Sequence, residues 1–131
     1  MSKKRDISNL EDIKLLVDSF YSRVRSDELI GPIFERKIED RWPEHLDKMY
    51  RFWQTILLKE HTYSGAPFRP HAQLPVKKEH FVRWVSIFKE NLHEKFEGEV
   101  ADEAMWRAEK MAEMFNYKID YFRQQGVKPI F

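Results

Sequence analysis

The apolar residues of this chain recur at intervals of three and four, which is the spacing of amphipathic helices. One such stripe comprises Ile13, Leu16, Val17, Phe20 and Val24. Three further stripes lie between about residues 42 and 59, after Pro75, and between about residues 100 and 125. No segment alternates apolar and polar residues as a half-buried strand does, and no repeat is present. The sequence therefore predicts an all-α fold built on four long helices.

Capping residues and prolines predict where these helices begin and end. Residues 8–11 fit a capping box at the start of the first helix, with Ser8 and Glu11 satisfying free backbone N–H groups. Residues 27–30 are expected to form a short turn or helix that Gly31 and Pro32 terminate. Pro43 suits the first turn of the second long helix. A loop is predicted over residues 60–75, and long loops in small domains are often functional.

The length and charge of the chain limit its class. We expect one domain over residues 1–131, with loosely held termini at 1–7 and 126–131. Its 23 basic and 22 acidic residues are scattered, which argues against a nucleic-acid partner or an anionic membrane surface. Cysteine is absent, which excludes disulfides and thiolate chemistry. No secretory signal is present, and no apolar run reaches the about 20 residues that span a bilayer, so a cytoplasmic location is expected.

The remaining residues exclude several common kinds of catalytic site. The chain has five histidines but no HExxH motif, and only His93 is followed four residues later by a carboxylate, that of Glu97. A di-iron centre held by a helical bundle needs several such pairs, so a bare di-metal site is disfavoured. Its four glycines are well separated, so they form neither a nucleophile elbow nor a phosphate-binding loop.

One histidine lies in an unusual setting, the segment PFRPHAQLP over residues 67–75. The prolines restrict this segment to about one helical turn around His71. Because a porphyrin supplies four nitrogens to its iron, a haem protein needs only one axial imidazole, and His71 is suited to that role. Its second ring nitrogen can then hydrogen-bond to a nearby carbonyl group. The alternative is a loop histidine exposed to water.

Three residues on the predicted helices could face such an iron across a dry pocket: Tyr21, His45 and Trp84. The tyrosine hydroxyl and the indole N–H are hydrogen-bond donors, and each bond to a ligand in a pocket of low dielectric contributes about 1–3 kcal/mol. The alternative for Tyr21 and Trp84 is packing in the core. For His45 it is a surface or capping position in the first turn of its helix.

Seven short pieces of the sequence, in this order and with these gaps, resemble a truncated haemoglobin of the third group. The resemblance extends from about Ile13 to Phe115. The pieces are Phe20–Tyr21, Gly31–Phe34, Trp42–His45, Phe52–Trp53, Tyr63–Pro67, His71–Pro75 and His80–Trp84. Each piece alone would be a weak indication, but the ordered set is specific.

This resemblance implies a two-over-two helical sandwich around one haem b, with His71 as the proximal iron ligand. Tyr21 and Trp84 would form the distal hydrogen-bonding pair, and His45 would act as a gate or third polar contact. The haem would be packed by Phe34 and lined or supported by Met49, Phe52 and Trp53. Lys48 matches a position that can pair with a haem propionate, and Arg51 and Arg69 are vaguer candidates. The paired interhelical glycines of other truncated haemoglobins are missing, as they are in the third group, which favours ligand entry past His45.

The function implied is binding of dioxygen, nitric oxide and carbon monoxide at ferrous iron. Two distal donors suggest tight retention, which favours redox chemistry of the ligand over storage. The candidate reactions are oxidation of nitric oxide to nitrate and activation of peroxide, and both would need an external electron donor. The alternatives are a gas sensor or binding protein without turnover, and a helical interaction module without a cofactor. A monomer or weak homodimer is expected.

Overall fold

A computed structural model of the protein describes residues 4–63 and 76–125. These ranges contain five helices and no strand longer than an isolated bridge, which confirms the predicted all-α class. The helices are α1 (Leu10–Ser26), α2 (Gly31–Ile38), α3 (Trp42–Leu58), α4 (Lys78–Lys95) and α5 (Glu99–Gln125). The four predicted long helices correspond to α1, α3, α4 and α5. Across the described parts of the chain, no helix is both long and apolar enough to cross a membrane.

The predicted stop at Gly31 and Pro32 is wrong, because α2 begins there. Proline in the first turn of a helix lacks only an N–H that would have no partner within the helix. Gly31 is required by a close approach to the end of α1: an added Cβ would lie 2.9 Å from the carbonyl oxygens of both Val24 and Arg25. Gly31 and Pro32 therefore begin a helix at this point, where Gly31 packs closely against the end of α1.

The start of α1 also differs from the prediction, because Asn9 and not Ser8 is the N-cap. The Asn9 side chain accepts a hydrogen bond from the backbone N–H of Asp12 at 2.9 Å. Ser8 instead donates to the Asp12 carboxylate, through its backbone N–H at 2.9 Å and its hydroxyl at 3.1 Å. Arg5 forms a bidentate pair with the same carboxylate. A buried acidic side chain thus organises the turn before α1.

Asp12→Asn should lower the free energy of unfolding by about 1–2 kcal/mol near neutral pH. Burial would raise the pKa of the Asp12 carboxyl, but the hydrogen bonds from Ser8 and Arg5 outweigh it and hold that pKa below its ordinary value. Because Arg5 is 63% exposed, most of the loss should come from the bonds to Ser8. The contribution is complete above about pH 4 and disappears as the pH falls through the folded-state pKa.

Urea unfolding near neutral pH and in acid would measure this effect. The wild type and Asp12→Asn should differ near neutrality and converge in acid, where the carboxyl group of the folded protein is protonated. Asp40→Asn, at an exposed position between α2 and α3, is the control and should match the wild type at both pH values. Equal stability of all three proteins near neutral pH would contradict the role given to Asp12.

Residues 4–7 are held more firmly than a loose terminus would be. The side chain of Ile7 is only 1% exposed and belongs to the core. The Asp6 carboxylate accepts hydrogen bonds from the backbone N–H groups of Val100 at 2.9 Å and Ala101 at 2.8 Å, at the first turn of α5. The chain before α1 therefore fastens the start of α5.

The core lies where α1 contacts α2, α3 and α4 and where α5 packs on α4 and contacts α3. Phe20 of α1 makes edge-to-face contacts with Trp84 and Phe88 of α4, with ring centroids 5.3 Å apart in both pairs. Asn91, buried in α4, donates to the Leu16 carbonyl group at 3.3 Å and the Ser19 hydroxyl at 3.0 Å. These contacts hold α1 and α4 together on one side of a cavity.

Candidate functional site

All five helices contribute side chains to one cavity. About 80 Å³ of it is accessible to water-sized molecules, and the cavity is partly open to solvent. Among the described residues its lining is almost entirely apolar and aromatic, and the side chains that carry a hydrogen-bond donor are Tyr21, His80 and Trp84. This mixture of an apolar wall with few polar groups is typical of sites for small molecules and cofactors.

Five of the residues singled out in the sequence meet in this cavity. They are Tyr21 of α1, Phe34 of α2, Met49 and Phe52 of α3, and Trp84 of α4. They come from four helices and lie between residues 21 and 84 of the chain, so only folding brings them together. The apolar stripe predicted between about residues 100 and 125 lies on α5, where Met111, Ala112 and Phe115 line the cavity.

The other candidates on α3 lie outside the lining. His45 packs edge to face on Tyr21, with the two ring centroids 4.9 Å apart. Trp53 is buried in the core and stacks on Phe88 at 5.4 Å, so it supports its neighbour Phe52 from behind the wall. Lys48 is exposed.

The two arginine candidates and His71 remain. Arg51 is exposed and pairs with Asp47 at 3.0 Å. His71 and Arg69 lie outside the described residues.

Tyr21 is the most enclosed polar residue of the cavity. Its side chain is 7% exposed, and its ring makes edge-to-face contacts with Phe20 at 5.0 Å and with Phe34 at 6.0 Å. Burial raises the pKa of the Tyr21 hydroxyl well above its ordinary value, because a phenolate would be poorly solvated there. The hydroxyl therefore keeps its proton over the physiological pH range and can act as a hydrogen-bond donor.

Trp84 combines a place in the wall with contacts to the core. Its ring stacks on Phe88 at 5.7 Å and meets the edge of Phe20 at 5.3 Å. The side chain is half-buried and borders the cavity, so packing with the core does not use its whole surface. The indole carries an N–H donor within the same wall as Tyr21.

His80 is a member of the wall that the sequence did not single out as a site residue. It lies four residues before Trp84 on α4, so the two side chains share one face of the helix. Its Nδ1 accepts the backbone N–H of Lys77 at 2.8 Å, which places the proton of the neutral ring on Nε2. His80 is thus suited to donate a hydrogen bond. Its spacing of four residues from Trp84 could have indicated that His80 shares the cavity-facing side of α4. A polar residue in the first turn of a helix is also typical of an N-terminal capping residue, so the spacing alone was ambiguous.

The apolar lining of the cavity suits an apolar cofactor better than a bare metal ion. In the described ranges, no three histidine or acidic side chains lie close enough together to hold a metal ion. A macrocycle that brings its own four nitrogens needs an apolar slot and one axial ligand. The side chains of Phe34, Met49 and Phe52 provide an apolar wall for such a macrocycle.

Comparison with known proteins gives consistent results. The family model of bacterial-like globins matches residues 6–117. The group 3 truncated haemoglobin ctb of Campylobacter jejuni is 35% identical over 116 residues, which cover 86% of this chain and 91% of that protein. The crystal structure of the group III truncated haemoglobin from Campylobacter jejuni superposes with a TM-score of 0.81 at 34% identity, over 89% of this chain and 95% of that one.

Proposed function

The chain belongs to the bacterial-like globin family as a group III truncated haemoglobin, and we propose that its cavity holds one haem b with His71 as the axial ligand. Globins bind haem and, through it, diatomic gases such as dioxygen. The apolar cavity shared by all five helices carries this proposal, because it offers a flat macrocycle an aromatic wall and leaves few polar groups to a ligand. The protein would act as a single globin domain.

The cofactor, when bound, supplies an iron with one coordination position for a diatomic ligand. Phe34, Met49 and Phe52 would pack against the ring, and Trp53 would hold Phe52 in place through their edge-to-face contact at 5.4 Å. Lys48 is exposed on the same helix, where its ammonium group could pair with a propionate.

Tyr21 and Trp84 would donate hydrogen bonds to the diatomic ligand and slow its release. A donor that is already oriented in a dry pocket stabilises developing negative charge without first reorganising water. The ring of His45 packs against that of Tyr21, so a ligand entering beside Tyr21 would pass His45.

Slow release favours a reaction of the ligand over its transport, and the reaction we propose is oxidation of nitric oxide to nitrate. In that reaction nitric oxide, dioxygen and one electron combine to give nitrate, so an external electron donor must restore the reduced protein after each cycle. Tyr21 and Trp84 would hold the oxygen atoms in place, and the apolar wall would exclude water.

Haem titration of the haem-free protein tests where the cofactor binds. The wild type should develop a Soret band at one equivalent of haem. Ala112→Phe should lower haem affinity by about tenfold or more, because a phenyl ring placed on this buried lining residue fills the cavity. Met114→Phe, at an exposed position on the same helix, is the matched control and should bind normally. Absence of a Soret band in the wild type would refute the haem assignment.

A second measurement separates an enzyme from a sensor. Nitric oxide added to the reduced protein in the presence of dioxygen should yield one nitrate for each nitric oxide consumed. If dioxygen binds but nitric oxide is not converted, the protein is a ligand-binding or sensing globin, and the oxidation reaction is excluded.

A further inference from the structure

Trp42, the first residue of α3, packs behind both Tyr21 and His45. Its side chain is 6% exposed and is absent from the cavity wall. The ring lies 5.8 Å from that of Tyr21 and 5.7 Å from that of His45, and these two rings lie 4.9 Å apart. The three interplanar angles are 65°, 90° and 86°, so each ring meets the other two edge to face. None of the three can rotate far without displacing another.

Trp42 is itself fixed from the surface by an ion pair. The Arg25 guanidinium lies over the indole at 4.3 Å from the ring centroid. The indole N–H donates to one oxygen of Glu35 at 3.3 Å, and the other oxygen accepts from Arg25 Nε at 2.7 Å. One carboxylate thus holds both the edge of the indole and the cation on its face, which sets the position and tilt of the ring.

We infer that Trp42, held by Arg25 and Glu35, is the positioning residue that orients Tyr21 and His45 toward the ligand, an assignment that rests on the proposed function. Trp42 does not line the cavity, so it would act through the two rings that it contacts. A half-exposed ion pair on the surface thereby controls the direction of a buried hydrogen-bond donor.

The simpler alternative is that Trp42 only fills space in the core. The two roles predict different results for Glu35→Ala, because this change leaves the buried indole in place and removes only its outer restraint. A space-filling tryptophan would then leave ligand binding unchanged. A positioning tryptophan would gain freedom to tilt, and the hydrogen bond from Tyr21 would weaken because its strength depends steeply on angle.

The experiment compares Glu35→Ala with Glu94→Ala, which removes another surface ion pair, that of Glu94 with Arg23. Glu35→Ala should increase the dioxygen dissociation rate by about threefold to tenfold. It should also split or broaden the carbon monoxide stretching band in the infrared spectrum of the carbon monoxide complex, because that band reports the orientation of nearby donors. Glu94→Ala should match the wild type in both measurements. Trp42→Phe should reproduce the effect of Glu35→Ala.

A double variant distinguishes this assignment from the proposed function. In a Tyr21→Phe background no distal hydroxyl remains to be oriented, so Glu35→Ala should have no further effect on the dissociation rate. If Tyr21→Phe alone changes both readouts but Glu35→Ala and Trp42→Phe change neither, Trp42 only fills space and this inference is wrong. If Tyr21→Phe changes neither readout, the distal role of Tyr21 fails and this inference fails with it.

Discussion

His71→Ala should abolish stable retention of haem, because the iron would lose its only protein ligand. Three of the other four histidines are poorly placed for that role. His61 and His93 are exposed, and Nδ1 of His80 already accepts a backbone N–H. For His80 to bind iron through Nε2 as well, its ring would have to give up its remaining proton. The fourth is His45, whose ring packs on Tyr21 of the proposed distal pair. We therefore propose His71, which lies outside the described residues, as the axial ligand.

Haem content after gel filtration and the spectra of the ferric and ferrous protein would measure the effect. His93→Ala, at an exposed position on α4, is the matched control and should retain haem with the wild-type iron spectrum. His71→Gly with added imidazole should recover that spectrum, because free imidazole can enter the space left by the side chain. Normal haem content and unchanged spectra in His71→Ala would refute the assignment of His71 as the axial ligand. Loss of the iron spectrum in His80→Ala would indicate that His80 is the axial ligand instead.

Tyr21→Phe should increase the dioxygen dissociation rate by on the order of tenfold to a hundredfold, which corresponds to about 1.4–2.8 kcal/mol. The change deletes a hydroxyl group and keeps the ring, so the edge-to-face contacts with Phe20, Phe34 and Trp42 should persist. Because burial keeps the hydroxyl protonated, the lost interaction is a hydrogen bond and not a charge effect.

Stopped-flow displacement of dioxygen by carbon monoxide would measure this rate. Tyr117→Phe makes the same chemical change at a side chain that is 71% exposed on α5, so its dissociation rate should equal that of the wild type. Trp84→Phe should also release dioxygen faster if the indole is the second donor. An unchanged rate in Tyr21→Phe, with normal haem spectra, would mean that Tyr21 serves only to pack the core.

Hydrophobic periodicity predicted α1, α3, α4 and α5 to within a few residues at their ends, because it records which face of each helix is buried. The short helix α2 was missed, since proline and glycine can either end a helix or begin one. The choice at Gly31 depends on the carbonyl groups of Val24 and Arg25, which approach it too closely for a side chain. The N-cap of α1 is Asn9 and not the predicted Ser8, because Ser8 donates hydrogen bonds to the Asp12 carboxylate instead.

The neighbouring residues Phe52 and Trp53 show the same limit within the site. Both are aromatic and both are buried, and the sequence assigned them a common role. Successive helical residues point about 100° apart, so Phe52 faces the cavity while Trp53 faces Phe88 of α4. His80 was overlooked because the sequence does not show that the first turn of α4 borders the cavity.

The sequence by itself determined the helical class, the resemblance to the third group of truncated haemoglobins, and the kinds of side chain available to a haem and its ligand. These follow from local spacing and residue chemistry. Only the tertiary structure decided which side chains share the cavity and which support it from behind. That choice depends on how helices distant in sequence pack together, as when α3 brings Trp42 and His45 against Tyr21 of α1 and beneath the ion pair of Arg25 and Glu35.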